Sequence, residues 1–581
     1  MQTPVLYTEK NDCQDCYKCV KECPTKSIKI EDSSASIMYD YCIYCGHCTQ
    51  ICPVGAKKDR DDMSRVKKAI AFGDRLIVSL APSYISEFPG VSQEQLVTAL
   101  KEVGFYAVSE TALGAEKVAE ETKLWIEQQP DGVYIGSSCP AAVEYIRKYH
   151  PDLTGNIVPL LSPMLTHAKL LKKLYGNSAK VVFIGPCIAK KNEADQFPDI
   201  IDYAVTFQRL KALFEEYGIE PAEMIAESDT KFVPQSASLG NLFPIDGGIL
   251  ATMGGTRSTI GHADILHSSY SGMHHIKEII HDIPKIPANG KKFIELLVCE
   301  GGCIKGPATI DTSSVMVKRQ RVVDAGSKQV QKVQNAVELF NGINISRNFN
   351  NIKPTIQCVY SEQDIQEALR SVNKFSAKDE LNCNGCGYDT CRDFSIAILD
   401  GRAERSMCIS YMRKVAQDKA SVLLQKIPSG VVMVDDKLTV IDANLKFAEL
   451  LGEEGLLVYE ARPGMEGSDL RKLLPFHKLF TAVLDSGEEM VEQDIRDGDK
   501  FYHLSIVTIQ KFKIVCGIIQ DMHDPGVQKD IVLTRTQAVI EKNMEVVQQI
   551  AYLLGETASY TEAMLNSILE SQKGTDDDGK K

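Results

Sequence analysis

The sequence predicts a multidomain chain centred on an α/β domain whose site lies at the ends of its strands. Three observations predict it. The chain has 581 residues, room for about four domains at roughly 150 residues each. Between 61 and 350, short apolar runs (Leu76–Leu80, Val133–Ile135, Val181–Ile184, Phe293–Val298) alternate with helical stretches, and three of the runs lead into loops that carry cysteine. Repeated strand, loop and helix is the pattern of an α/β domain with its crevice at the strand ends. Finally, 16 of the 18 cysteines fall into short motifs, and only Cys358 and Cys516 stand alone. The composition, 44% hydrophobic and 25% charged, is globular. A net charge of −13 gives no overall basic footprint for nucleic acid. Met1–Cys13 lacks the order of a signal peptide, and no run reaches the ~18 apolar residues of a membrane span. The expectation is a cytoplasmic chain whose cysteines hold metal rather than form disulfides.

The first sixty residues read Cys13-x2-Cys16-x2-Cys19-x3-Cys23-Pro24, then Cys42-x2-Cys45-x2-Cys48-x3-Cys52-Pro53. The doubled, proline-terminated run resembles bacterial two-cluster ferredoxins. That resemblance implies crossed ligand sets: Cys13, Cys16 and Cys19 with Cys52, and Cys42, Cys45 and Cys48 with Cys23. A pair of four-cysteine zinc sites is the alternative.

The middle loops read Ser137-Ser138-Cys139-Pro140, Gly185-Pro186-Cys187-Ile188-Ala189-Lys190-Lys191-Asn192-Glu193 and Cys299-Glu300-Gly301-Gly302-Cys303. One such loop would read as a buried structural cysteine. Three loops with four cysteines suffice for one further cubane. Segment 61–320 resembles the catalytic domain of FeFe hydrogenases, with its SC-P, PC-x-x-K-x-x-E and C-x-G-G-C motifs. The resemblance implies that Cys139, Cys187, Cys299 and Cys303 hold the cubane of an H-cluster. It makes Cys303 the bridge to a diiron subcluster carrying CO, cyanide and azadithiolate, installed by maturation proteins. It places Lys190 on one cyanide, Ala81-Pro82-Ser83 on the other, and Phe243 on the bridging-CO side. Iron-bound cyanides are anionic acceptors, which suits a lysine and a serine hydroxyl. The glycines between Cys299 and Cys303 permit close backbone approach.

The departures bear on protons. Where the family carries a relay cysteine, this chain has Ser138, a far weaker acid than a thiol titrating near ~8.5. Family methionines become Gly185 and Leu297, a glutamine becomes Met164, and Thr122 falls on a proton-path carboxylate, with Glu120 and Glu121 nearby.

Further along, Cys383-x2-Cys386-x4-Cys391-x16-Cys408 resembles a small four-cysteine 4Fe-4S domain, with structural zinc as the alternative. The β runs 427–435, 438–441, 491–495, 501–506 and 513–520 resemble a PAS sensor domain. His477 and Cys516 are candidate ligands there, with surface and core roles the default. From 529 to 571, Leu533, Ile540, Val547, Leu554 and Ile568, with Met544, Ala551, Ala558 and Leu565, form an a/d stripe, expected either to dimerise or signal or to pack on its own PAS domain. No histidine follows His523, so this helix has no phosphoacceptor histidine. The tail Asp576–Lys581 is expected to be disordered.

In order, the chain reads as a two-cluster ferredoxin module of α+β fold (1–60), an α/β H-cluster domain (61–350), a linker (351–380), a small Fe-S domain (381–415), an α+β PAS domain (416–525) and a C-terminal helix with tail (526–581). The resemblance implies reversible H2 oxidation and proton reduction, slow and used to sense H2. It implies an electron carrier such as ferredoxin, a separate signalling partner, and a homodimer through the PAS domain and helix. A metabolic H2-evolving hydrogenase and an iron–sulfur redox sensor without the diiron unit are the rivals.

Overall fold

The computed structural model describes residues 3–31, 34–225, 230–254, 265–287, 289–329, 336–349, 359–498 and 500–522, with 542 and 544. Cys358, His523, the tail and the C-terminal stripe other than Met544 lie outside the described residues. The chain forms two compact units, Met1–Tyr411 and Met412–Lys581. No described helix is long and apolar enough to cross a membrane.

The first unit begins with two short antiparallel pairs, Leu6–Thr8 with Lys57–Asp59 and Ile28–Glu31 with Ser34–Ile37. Helices Lys18–Glu22 and His47–Ile51 lie between them, each carrying one cysteine of its run inside and ending at the next. The first α/β sheet is fully parallel, in the order Ala107–Glu110, Leu76–Leu80, Lys180–Gly185, Tyr203–Thr206. A second parallel sheet orders Ile265–Ser271, Lys291–Leu297, Gly132–Ile135. Leu76–Leu80 is buried along its whole length and Lys291–Leu297 along its last five residues, which is why these segments read as mostly apolar runs, each broken by one polar residue (Ser79, Glu295), rather than as alternating ones. His167, on helix Pro163–Tyr175, bonds Ser79 and Ser109 at 2.7 and 2.9 Å, and so ties that helix to two neighbouring strands.

A buried charge network welds the N-terminal module to the α/β domain. Arg60 reaches both oxygens of Asp195 at 2.8 and 2.9 Å and also Asp62, while Lys191 pairs with Asp59 at 2.6 Å. Asp195 and Lys191 lie on Ala189–Gln196, the helix just after Cys187, so the weld fixes the module against one of the site loops.

The stretch expected to be a plain linker contains a helix, Glu362–Arg370, begun by a capping box between Ser361 and Asp364. This helix packs on Cys391–Leu399, the helix of the four-cysteine segment.

The second unit is a five-stranded antiparallel sheet in the order Val440–Ala443, Gly430–Asp435, Ile514–Asp521, Lys500–Gln510, Met490–Asp497. Phe447, Phe480, Met465 and Leu504 fill its core. Asn444 anchors the entry: its Nδ2 donates to the Leu424 and Ser429 carbonyls, and its Oδ1 accepts from the N–H groups of Val431 and Phe447, all at 2.8–2.9 Å.

Candidate functional site

Both parallel sheets aim their strand ends at one largely apolar pocket. Cys187 follows Lys180–Gly185 of the first sheet, while Cys139 and Cys299 follow Gly132–Ile135 and Lys291–Leu297 of the second. Cys303 opens the turn Cys303–Lys305. All four line the pocket. The turn is reached through Gly302, whose φ is +92° and where a Cβ would sit 2.5 Å from the Pro244 carbonyl oxygen. The Gly-Gly step is therefore a steric requirement of bringing Cys303 back to Cys299.

Burial raises the Cys187 thiol to about 11 and the Cys299 and Cys303 thiols further. As bare groups they would stay protonated at neutral pH; a bound cation deprotonates such thiols outright. Three serine hydroxyls at the strand ends, Ser83, Ser137 and Ser138, are buried without a partner, and Ser83 and Ser138 line the pocket. Unpaired buried hydroxyls call for an acceptor or donor in the cavity. Thiol donors, a lysine and orphaned hydroxyls together fit an anionic, sulfur-ligated iron group.

The ammonium of Lys190 lies 2.7 Å from Glu193 Oε2 and 3.5 Å from the Ser138 carbonyl. Glu193 also takes Arg347 at 2.8 Å and Ser162 Oγ at 2.9 Å. Burial alone would raise the Glu193 carboxyl, but Lys190 and Arg347 outweigh it and hold it below the usual range. The last residue of the PC-x-x-K-x-x-E motif therefore positions the lysine. Ala81, Pro82, Phe243, Met164 and Leu297 also line the pocket. Over Gly185 the Phe183 ring takes the space, 2.6 Å from where a Cβ would be.

The carboxylates of helix Ala112–Glu127 do not reach this pocket. Glu120 and Glu121 pair with Lys117 at 3.1 and 2.7 Å, and Thr122 is buried. Glu116 accepts from the Ser238 and Gly240 N–H groups, and Glu110 from Ala237 N–H, so both hold the loop that leads to Phe243. The acid that does line the pocket is Glu295, which the motifs did not point to. Its Oε2 accepts from Ser269 Oγ at 2.5 Å and Gly247 N–H at 2.8 Å, and burial raises it to about 7. Strand alternation from Leu297, two residues on, was the signal that could have found it.

Cys19 lies within electrostatic reach of Cys13, Cys16 and Cys52, and Cys45 of Cys23, Cys42 and Cys48. Cys45 also lines the main pocket and reaches Cys299. This approach depends on Gly46, φ +76°, where a Cβ would meet Ile188 at 2.7 Å and Pro307 at 2.8 Å. Cys383, Cys386, Cys391 and Cys408 line a separate small pocket. Among the described residues no three His, Cys, Asp or Glu are gathered as a single ion needs.

In the second unit, neither candidate PAS ligand faces the core. Cys516 lies on the face opposite Val515, Gly517 and Ile519, and His477 Nδ1 bonds the Leu474 carbonyl at 3.0 Å.

Residues 74–307 match the family "Iron only hydrogenase large subunit, C-terminal domain". Residues 6–53 match a 4Fe-4S dicluster domain, 379–410 a small Fe-S cluster family, and 421–493 a PAS domain. The chain is 25% identical over 327 residues to the NADP-reducing hydrogenase subunit HndD of Solidesulfovibrio fructosivorans, covering 46% of this chain and 55% of that one. It is 42% identical over 52 residues to the pyruvate synthase subunit PorD of Methanothermobacter marburgensis, covering 9% of this chain and 60% of that one. The chain thus spans little more than half the length of these curated relatives. A variant of the FeFe hydrogenase HydA1 from Chlamydomonas reinhardtii superposes with TM-score 0.39 at 18% identity, covering 48% of this chain and 94% of that one. The chain thus carries an iron-only hydrogenase large-subunit domain, preceded by a 4Fe-4S dicluster domain and followed by an Fe-S domain and a PAS domain.

Proposed function

We propose that this chain is an FeFe-type hydrogenase that interconverts H2 with two protons and two electrons, slowly, and uses the reaction to report H2 through its PAS domain. One observation carries the reading: four cysteines from three strand-end loops, with Lys190 and two orphaned serine hydroxyls, converge on one pocket that Cys45 of the dicluster module also touches. Cys139, Cys187, Cys299 and Cys303 would hold a cubane, with Cys303 bridging to a diiron unit bearing CO, cyanide and azadithiolate. When bound, that unit supplies the heterolytic splitting of H2.

The remaining work belongs to the chain. Lys190, held by Glu193, donates to an anionic ligand at Nζ; Ser83 donates at Oγ. Phe183, Phe243 and Leu297 keep water out, which strengthens these polar contacts. Ser138 Oγ occupies the place of a relay thiol without its acidity. Glu295, on the pocket wall, holds a proton near neutral pH, as a proton carrier at that pH requires. Electrons leave through Cys45 and the dicluster module toward a ferredoxin-type carrier. The sensory role draws on Ser138, on the outward-facing Glu120 and Glu121, and on the PAS domain. Dimerisation through that domain and an unidentified signalling partner belong to the same reading.

The test is H2-dependent dye reduction per diiron site in anaerobically matured protein, with loading verified by CO and cyanide infrared bands. Slow turnover at full loading is expected. Fast turnover would make the chain a metabolic enzyme, and absence of the bands after maturation would make it a redox sensor without a diiron unit.

A further inference from the structure

The four-cysteine segment is docked on the dicluster module. One apolar cluster joins Cys19, Val20, Ile28 and Ala35 of that module to Tyr388, Phe394 and Met407 of the segment, with Cys23 and Cys386 packed against it. The approach is backbone against backbone: a Cβ on Gly387 would lie 2.9 Å from Lys21 Cα. Lys21 belongs to Lys18–Glu22, the helix that contains Cys19 and ends at Cys23, so the contact falls between a ligand of each dicluster set. Arg402 adds a second contact, its guanidinium 5.5 Å from the centre of the Tyr41 ring. Tyr388 is buried at 4% exposure. Its hydroxyl has no partner, and it lies within electrostatic reach of both Cys386 and Cys23. Cys408 is followed at once by helix Ile409–Lys426, along which the chain continues to the first PAS strand at Gly430.

We propose that the four-cysteine site is a branch of the electron wire: its cluster exchanges electrons directly with the dicluster module across Tyr388, and its charge state is delivered to the helix Ile409–Lys426 that follows Cys408. The step is a single-electron transfer. One reduced dicluster cubane loses an electron and the oxidised four-cysteine cubane gains it; no bond forms or breaks and no proton is required. The inference deepens the sensory reading and rests on the four-cysteine site holding iron–sulfur. It stands apart from the diiron chemistry, because the dicluster module and the segment need no diiron unit to dock.

The experiment therefore uses the full chain produced without maturation proteins, reduced with dithionite under anaerobic conditions and examined by pulsed electron paramagnetic resonance. The comparison is Cys383→Ser, at an exposed ligand outside the shared apolar cluster. It should lower iron by about four per chain and slow relaxation of the dicluster signals several-fold, because a neighbouring paramagnet is gone. Gly387→Val should keep its iron yet show the same slowed relaxation, because the loop is pushed off Lys21. Unchanged relaxation in Cys383→Ser with the iron loss confirmed would overturn the branch. Zinc in place of iron at the segment would overturn it too, while leaving the hydrogenase reading untouched.

Discussion

Glu295→Gln tests whether the pocket acid carries a proton. Burial raises this carboxyl from its ordinary 4.5 to about 7, a displacement worth about 3 kcal/mol at ~1.4 kcal/mol per pH unit. The folded chain keeps the proton to higher pH than the unfolded chain does. Below about 4.5 both states bind it and ionisation costs nothing. As pH rises toward 7 stability falls, and above 7 the full ~3 kcal/mol is lost. Glutamine removes this dependence while keeping an oxygen to accept from Ser269 and Gly247. The variant should therefore gain on the parent by roughly 2–3 kcal/mol between about pH 5 and pH 8. The assay is urea unfolding at each pH, followed by fluorescence. The chain has one tryptophan; Trp125 lies on helix Ala112–Glu127 and packs edge-on against Tyr134 at 5.4 Å, so its signal reports the hydrogenase domain. A difference that does not change with pH would refute the protonated carboxyl and remove Glu295 from any proton path.

Four further outcomes are expected. Ser138→Cys should raise turnover by about ten-fold or more, judged against the ~100-fold or greater contribution of a well-placed proton-transfer group; an equal rate at equal diiron loading would send protons elsewhere. Cys303→Ala should lose the CO and cyanide infrared bands yet keep the dicluster signals, and full H2 chemistry in that variant would remove Cys303 as the bridge. Glu193→Gln leaves Lys190 and Arg347 without their buried carboxylate, so it should cost about 3–5 kcal/mol and shift a cyanide band; an unshifted band would mean that Lys190 is positioned without Glu193. Asn444→Ala removes four hydrogen bonds, and loss of about 2–4 kcal/mol from the PAS unit in urea unfolding is expected at ~1 kcal/mol each, whereas a neutral change would mean that water replaces them.

What the sequence disclosed was whatever is written locally. The cysteine runs, the apolar strands and the strand-end loops each occupy a few consecutive residues, and the structure places them as read. What it withheld depends on which way a residue faces or on contacts between distant segments. Glu295 looked like one charge in an apolar run until strand alternation set it beside Leu297 on the pocket wall. Glu120 and Glu121 looked available for protons, but their helix turns them toward Lys117. Cys516 was open to a surface, core or ligand role, and one step of strand register puts it on the outer face. Helix Glu362–Arg370 had a legible start in Ser361-x-x-Asp364, which the loop-like text before it obscured. The docking of Gly387 against Lys21 joins residues far apart in the chain, and no local pattern encodes it.

The four pocket thiols straddle two sheets that are hydrogen-bonded separately. A group bound by all four acts as a rivet across that seam, closing a long loop between Cys139 and Cys303. Cross-links of this reach remove unfolded-state entropy worth about 4–5 kcal/mol for loops on the order of 100 residues. Inserting such a group and locking the domain would then be one event. Its oxidative loss would loosen the seam itself, so damage at the proposed cubane should show as a domain that melts earlier.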